Sequence, residues 1–298
     1  MAGRVSIVTG PTSGIGRATA LGLARLGATV VLACRDVQKG EATRQEILSH
    51  GEDTEVGVQR LDLGSFNSIR SFVASFGARH AKLHVLVNNA GIFTRDRRLT
   101  EDGLESQFQV NYLGHFLLTH LLMNTLKGGA PSRIVNVSSE AHRGARIEFD
   151  NLRGDRAYSG YRAYGQSKLA QILFTHELAR RLEGTGVTVN ALHPGVIRTN
   201  LGTGEYPRAF NLVRLFFKRP ERGARTSIHV ATSPALERVT GKYFKDSAEA
   251  RSSNASHDPD AERRLWDASL HLAGLSAPGR APKATPSGAA TGPARSSG

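Results

Sequence analysis

The chain has 298 residues, 39% hydrophobic and 22% charged, which suits one large domain with a sizeable core or two small ones. A single cysteine, Cys34, excludes an internal disulfide and any cysteine-built zinc or iron–sulfur site. The formal net charge of +13 permits contact with nucleic acid or anionic lipid, yet the basic residues are scattered rather than blocked, which reads as an Arg-rich solvated surface.

Short β-branched runs alternate with longer segments of helical spacing. The runs are Arg4–Val8, Thr29–Ala33, Glu55–Gln59, Val85–Val87, Arg133–Val137 and Thr188–Leu192. Between and after them come Gly14–Leu26, Val37–His50, Ser65–His80, Leu104–Leu126, Tyr161–Leu182 and Glu221–Thr232, with a closing helix at Pro259–Ala273. Runs such as Val30-Val31-Leu32-Ala33 are apolar on both faces, the mark of strands buried between two helix layers. The prediction is an α/β fold: a single doubly wound, Rossmann-type domain over 1–272, with a parallel sheet of about seven strands and helices on both faces. The segment 273–298 is Ala/Gly/Pro/Ser with no acid, and reads as a disordered tail.

No stretch approaches the roughly 18–20 apolar residues of a membrane span. Val5–Val8 follows the first residues at once and runs into Thr9-Gly10 rather than a cleavage pattern, so the expected location is cytoplasmic. No interleaved basic–aromatic strand pattern supports nucleic-acid binding, and the histidine and cysteine pattern gives metal catalysis no support.

The first strand leads through Gly10-Pro11-Thr12-Ser13-Gly14-Ile15-Gly16 into a helix. A glycine turn between strand and helix lets backbone amides and the helix N-terminus approach a pyrophosphate. The second strand ends Cys34-Arg35-Asp36. At this place in dinucleotide folds an acid takes the ribose 2′-hydroxyl and a cation accommodates a 2′-phosphate. Cys34 stands where the acid would, and Arg35 follows, so NADP(H) is preferred over NAD(H). Arg17 is a candidate assistant. The alternative is Asp36 as the ribose contact, and Asp36 also reads as the cap of the next helix. Asp62-Leu63, after the third strand, is a candidate for the adenine.

Tyr164 and Lys168 stand four apart on a helical pattern, one turn apart on one face. A lysine there favours tyrosinate and lowers the pKa of an otherwise poor acid–base group. Ser138 and Ser139 end a strand at the sheet edge where open α/β folds bind ligands, and strand alternation lets only one of them serve.

Thr9-Gly10-x-x-x-Gly14-x-Gly16, Asn88-Asn89-Ala90-Gly91, Asn111, Ser138-Ser139, Tyr164-x-x-x-Lys168 and Pro194-Gly195 occur in this order. As an ordered set over about residues 3–272 they resemble the short-chain dehydrogenase/reductases. Leu32–Asp36, Ser167–Ala170, Phe174–Leu182, His193–Gly195 and Phe210–Ser227 are similar to the retinol dehydrogenase branch. The resemblance implies an NADP(H)-dependent oxidoreductase that interconverts an alcohol and its aldehyde or ketone. It implies a catalytic set of Asn111, Ser139, Tyr164 and Lys168, with Asn111 holding a water for proton relay to Lys168. For the nicotinamide end it implies Asn89, Ala90 and Gly91, then Pro194, Gly195, Ile197 and Thr199. The rival reading is an NADP(H)-binding sensor or scaffold without turnover.

Ser139 and Tyr164 are separated more widely than is usual in that family, so 140–163 holds an insertion beside the substrate mouth. Tyr206–Arg219 forms an amphipathic basic helix, with Tyr206, Phe210, Val213, Phe216 and Phe217 on its apolar face. It reads as a lid over an apolar carbonyl or alcohol substrate, with weak membrane-surface contact as the second reading. Leu169, Ile172, Leu173 and Leu178 exceed what one sheet face needs, which together with the family's habit predicts a homodimer through the helix at 161–182.

Overall fold

A computed structural model of the chain describes residues 1–50, 54–195 and 220–275. Its strands are β1 (Val5–Thr9), β2 (Thr29–Cys34), β3 (Val56–Arg60), β4 (Val85–Asn88), β5 (Ser132–Val137), β6 (Val187–His193), β7 (Tyr243–Lys245) and β8 (Ala248–Ala250). They form one sheet in the order β3-β2-β1-β4-β5-β6-β7-β8. Every pairing is parallel except β7 with β8. The eighth strand goes beyond the expected seven. It is a three-residue antiparallel edge whose tight turn places Asp246 and Ser247 at positive φ.

Alternation along β1 divides the core. Ile7 faces a cluster with Phe72, Phe116, Leu169 and Leu173, while Val8 faces Leu23, Ile47 and Val230 on the other side. The helices on these faces include α1 (Gly14–Arg25), α2 (Val37–Ser49) and α3 (Phe66–Gly77), followed by α7 (Gly160–Arg181). The helices at Pro220–Thr232 and Pro259–Leu272 complete the layers.

Where the sequence reads as one helix over 104–126, the chain is broken into α4 (Ser106–Phe108), a π-helical turn (Gln109–Leu113), α5 (Gly114–Leu121) and α6 (Met123–Gly128). The Gly114 N–H donates to Gln109 O, five residues back. A Cβ at Gly114 would lie 2.5 Å from Leu63 O, so a glycine lets this turn pack directly on the β3–α3 loop.

The rationale for pairing through α7 does not survive in the fold. Leu169, Ile172, Leu173 and Leu178 are all at most 2% exposed within the single chain. Leu169, Leu173 and Leu178 share a cluster with Leu265 and Trp266 of the C-terminal helix, and Ile172 packs with Ala191 and Tyr243 of the sheet. Of the segment read as a tail, Ala273 is buried and Leu275 packs on the core, while 276–298 lies outside the described residues. No described helix is long and apolar enough to cross a membrane.

Candidate active site

The glycine turn is built as an anion cradle. Gly10 has φ +65°, and a Cβ on Gly16 would lie 2.2 Å from Gly10 O, so both positions need glycine. Asn89 Nδ2 donates to Thr9 O at 2.8 Å and so ties the turn to the end of β4. Ser13, the N-cap of α1, makes no side-chain bond to the first turn, and no acid stands there. The positive end of α1 is left for an anion, with Thr12, Gly14 and Ile15 around it.

At the end of β2 the candidate ribose residues separate. Asp36 Oδ1 accepts from Lys39 N at 3.1 Å, capping α2, and Asp36 pairs with Lys39 Nζ at 3.1 Å. Arg17 pairs with Glu46 at 3.2 Å. Cys34 is buried, which pushes its thiol up to about 11, with the nearby Asp36 charge adding to the effect. Arg35 is exposed, with no ion pair among the described residues. Asp62 Oδ1 accepts from Gly64 N at 2.9 Å, and Leu63 is buried beside it.

At the other end, α7 carries Tyr164 and Lys168. Lys168 Nζ lies 5.6 Å from the centre of the Tyr164 ring and donates to Val137 O at 3.0 Å and to Gln171 Oε1 at 3.1 Å. Burial pushes the ammonium down to about 7. Gly91 runs close beside both groups: a Cβ there would lie 3.3 Å from Asn111 Oδ1 and 3.6 Å from Lys168 Nζ. Ser138 is buried and donates to Lys168 O at 2.7 Å, a bond that ties the end of β5 to α7. Ser139 Oγ, partly exposed, accepts from Ala141 N at 3.2 Å, and the same hydroxyl can still donate.

The asparagines are mostly committed to the scaffold. Asn88 is buried and donates to Thr119 Oγ1 and Asn136 Oδ1. Asn111 clamps Ile92 through both backbone atoms and donates to Ser167 Oγ. Its carbonyl accepts from Gln171 Nε2 at 2.7 Å and from His115 Nδ1 at 3.1 Å. That carbonyl is thus held by α7 and by the His115 ring. His115 Nε2 meets Thr9 Oγ1 at 2.9 Å, which joins the cradle to the catalytic end through one buried chain of bonds. Gly195, after Pro194, has φ +92° at the end of β6. Ile197, Thr199 and the helix read at 206–219 lie outside the described residues.

Residue-by-residue reading of the sequence missed His115, Gln171, Phe93 and Tyr161. Phe93 meets the Tyr164 ring edge-on at 5.8 Å and the Tyr161 ring at 5.0 Å, and Tyr161 is 60% exposed. The signals were present: Phe93 follows Asn-Asn-Ala-Gly by one residue, and Tyr161 precedes Tyr164 by three. The 140–163 segment is tied to the chain at 97–105. Arg97 bonds Arg153 O and pairs with Asp155, while Tyr158 donates to buried Glu105 at 3.0 Å.

A surface groove of about 1510 Å³ lies at the opposite strand ends, between Ala130–Pro131, Gly186–Thr188 and Thr240–Tyr243. It holds none of these residues, and four of its charged side chains pair within it, Arg180 with Glu262 and Lys242 with Glu249. His80 and His84 have a ligand-like spacing, but α3 ends before them, His80 packs on Phe76, and His84 Nδ1 accepts from Val5 N. His193 is buried, which pushes it down to about 4.

A family model for short chain dehydrogenase matches residues 4–208. Mouse retinol dehydrogenase 12 is 46% identical over 275 residues, covering 92% of this chain and 87% of the relative. Human retinol dehydrogenase 11 is 48% identical over 275 residues, covering 92% and 86%. Among solved structures, an uncharacterized protein from Mycobacterium paratuberculosis superposes with a TM-score of 0.75 at 36% identity, covering 92% of this chain and 94% of that one. Pseudomonas aeruginosa RhlG, solved as an NADP active-site complex, has a TM-score of 0.65 at 28% identity, covering 82% and 94%. An ordered glycine cradle, a Tyr–Lys pair on one helix face and these likenesses agree: the chain belongs to the short-chain dehydrogenase family, in its retinol dehydrogenase branch, as an oxidoreductase of CH–OH groups.

Proposed function

We propose that the protein interconverts an apolar alcohol and its aldehyde or ketone with NADP(H), using Tyr164 as the general acid/base. The observation that carries this reading is the Tyr164–Lys168 pair, with the ammonium buried beneath the phenol ring. When bound, the nicotinamide supplies or accepts the hydride. In reduction, Tyr164 gives its phenolic proton to the carbonyl oxygen as that oxygen gains charge, so its O–H bond breaks as the alcohol O–H forms. The positive charge of Lys168 stabilises the tyrosinate left behind. The Ser139 hydroxyl donates to the same substrate oxygen.

The cofactor assignment draws support from unpaired Arg35 beside the cradle, with Asp36 already committed to α2. Gly10–Gly16 would take the pyrophosphate, Asp62 and Leu63 the adenine, and Asn89–Gly91 with Pro194, Gly195, Ile197 and Thr199 the nicotinamide end. RhlG, named as an NADP complex, is a related precedent. Phe93 and Tyr161 favour an apolar substrate, as does the retinol named for the relatives.

Tyr164→Phe removes the proton donor and little else. Turnover should fall by ~10²–10⁴-fold while NADPH affinity, read by cofactor fluorescence, stays close to wild type. Activity retained within threefold would sink the assignment. A wild type that binds NADPH yet turns over no aldehyde, ketone or retinoid would favour the sensor reading instead.

A further inference from the structure

The chain that follows Ser139 is held both by α7 and by the edge of the sheet. Glu140–His142 form one turn of 3-10 helix, which Ser139 Oγ caps through Ala141 N. The turn lies directly on α7: a Cβ on Gly165, the residue after Tyr164, would come within 2.9 Å of Ala141 O. It is also bonded to β7 and to the chain after β8. Tyr243 donates to Glu140 at 3.2 Å, Arg143 to Arg251 O at 2.8 Å, and Ser253 N to His142 Nε2 at 3.0 Å.

His142 is fully buried, and its two partners fix the state of the ring. A backbone N–H can only donate, so Nε2 carries no proton. Nδ1 carries it instead, and donates to Ser139 O at 2.6 Å. Burial holds the imidazole below the ordinary histidine range and so keeps it neutral. The ring is thus a two-ended link from the Ser253 backbone to the Ser139 backbone, and it packs on the Tyr243 ring at 5.2 Å.

We propose that His142 is a positioning residue for the reaction, holding Ser139 where its hydroxyl and that of Tyr164 reach one substrate oxygen. The proposal rests on the roles of Ser139 and Tyr164 given above. The two hydroxyls come from different elements, Tyr164 from α7 and Ser139 from the end of β5. Their separation is therefore set by whatever joins those elements. Gly165 lets the serine turn seat on α7, and the link through His142 to Ser253 leaves that turn a single seat.

The test is a double-mutant cycle on kcat/KM for reduction of a long-chain aldehyde, with NADPH affinity followed alongside. His142→Phe keeps a ring but makes neither bond. Its kcat/KM should fall about ten- to a hundredfold, the scale of a catalytic group displaced by about 1 Å. In a Ser139→Ala background no hydroxyl is left to position, so the same substitution should change kcat/KM by less than about twofold. NADPH affinity should stay close to wild type throughout. Ser253→Pro breaks the link from its other end without touching the histidine, because Ser253 already has φ −66° and proline has no N–H to give. It should repeat the pattern, and it stands in for His142→Phe if that variant does not fold. Equal fold-losses in the Ser139 and Ser139→Ala backgrounds would make His142 a support of the fold and overturn the proposal, as would an unchanged kcat/KM in both variants. Ser139→Ala alone tests the parent reading and should cost roughly 10²–10³-fold. If it keeps full turnover, that reading has failed and takes the proposal with it.

Discussion

Arg35 and Asp36 are the two candidates for the ribose end of the proposed NADP(H) site, and their local bonds favour Arg35. Asp36 is held by the first turn of α2 and by Lys39, so turning it towards a ribose would break the α2 cap. Arg35 has no such tie, and a guanidinium-to-phosphate contact is charge-assisted and can be bidentate. Arg35→Ala should weaken NADPH binding by roughly ten- to a hundredfold and leave NADH nearly unchanged. Kd values for both cofactors in wild type and variant check this. Equal losses would make Arg35 a support of the fold, and a wild type preferring NADH would return the ribose to Asp36. Residues of this kind were legible because chemistry and chain position coincide: glycines in a strand-to-helix turn, a Tyr and Lys one helical turn apart. Gln171 and His115 were not, since nothing in their own neighbourhoods says that a carbonyl on another element lacks partners. That shortage arises from the π-turn, which periodicity alone does not announce.

At the scale of elements, β1 to β6 were read to within a residue or two because most are apolar on both faces, whereas the three-residue β7 and β8 were too short to be placed and 104–126 was smoothed into one helix. The π-turn at Gln109–Leu113 turns the Asn111 carbonyl toward side chains on α5 and α7, and this gives His115 its place. Thr9 Oγ1 accepts from the N–H groups of Asn89 and Ala90, and its own hydrogen has Val87 O and His115 Nε2 within reach. His115 Nδ1 carries a proton, because Asn111 O can only accept. Burial favours the neutral ring, pushing it down to about 3. The sign follows from linkage. Between the ordinary histidine pKa of about 6.5 and pH 3, the unfolded chain binds a proton that the folded chain refuses. Stability is therefore lost as pH falls through that window, by about 2–3 kcal/mol from this group between pH 7 and 4.5. Other buried histidines add to the acid lability, so the comparison is with His115→Gln, which keeps the Thr9 contact and cannot titrate. Urea midpoints at pH 7 and 4.5 should converge between the two proteins as pH falls. Parallel declines would mean that His115 is not buried neutral.

Across the whole molecule, the C-terminal helix at Pro259–Leu272 decides what α7 can meet. Trp266, the only tryptophan, stacks on Phe174 at 6.0 Å and meets Phe116 edge-on at 5.1 Å. The Arg181 guanidinium lies 4.2 Å over its ring, and Tyr112 bonds Ser269 at 2.7 Å further along. Glu262, at the start of the helix, takes Arg180 and His176 from α7. The apolar side of α7 that would otherwise invite a second copy is thereby covered from within the chain. We expect a monomer whose sedimentation is independent of concentration. Trp266→Ala removes a large buried side chain and should cost about 3–5 kcal/mol in urea denaturation. It also uncovers Phe174 and Leu173, so the variant should associate as concentration rises while wild type does not. Because Trp266 is alone, its fluorescence in wild type reports the undocking of this helix, and should change together with the appearance of associated species on mild denaturation. A wild-type dimer that persists unchanged in Trp266→Ala would place the contact on another surface and defeat this account of α7.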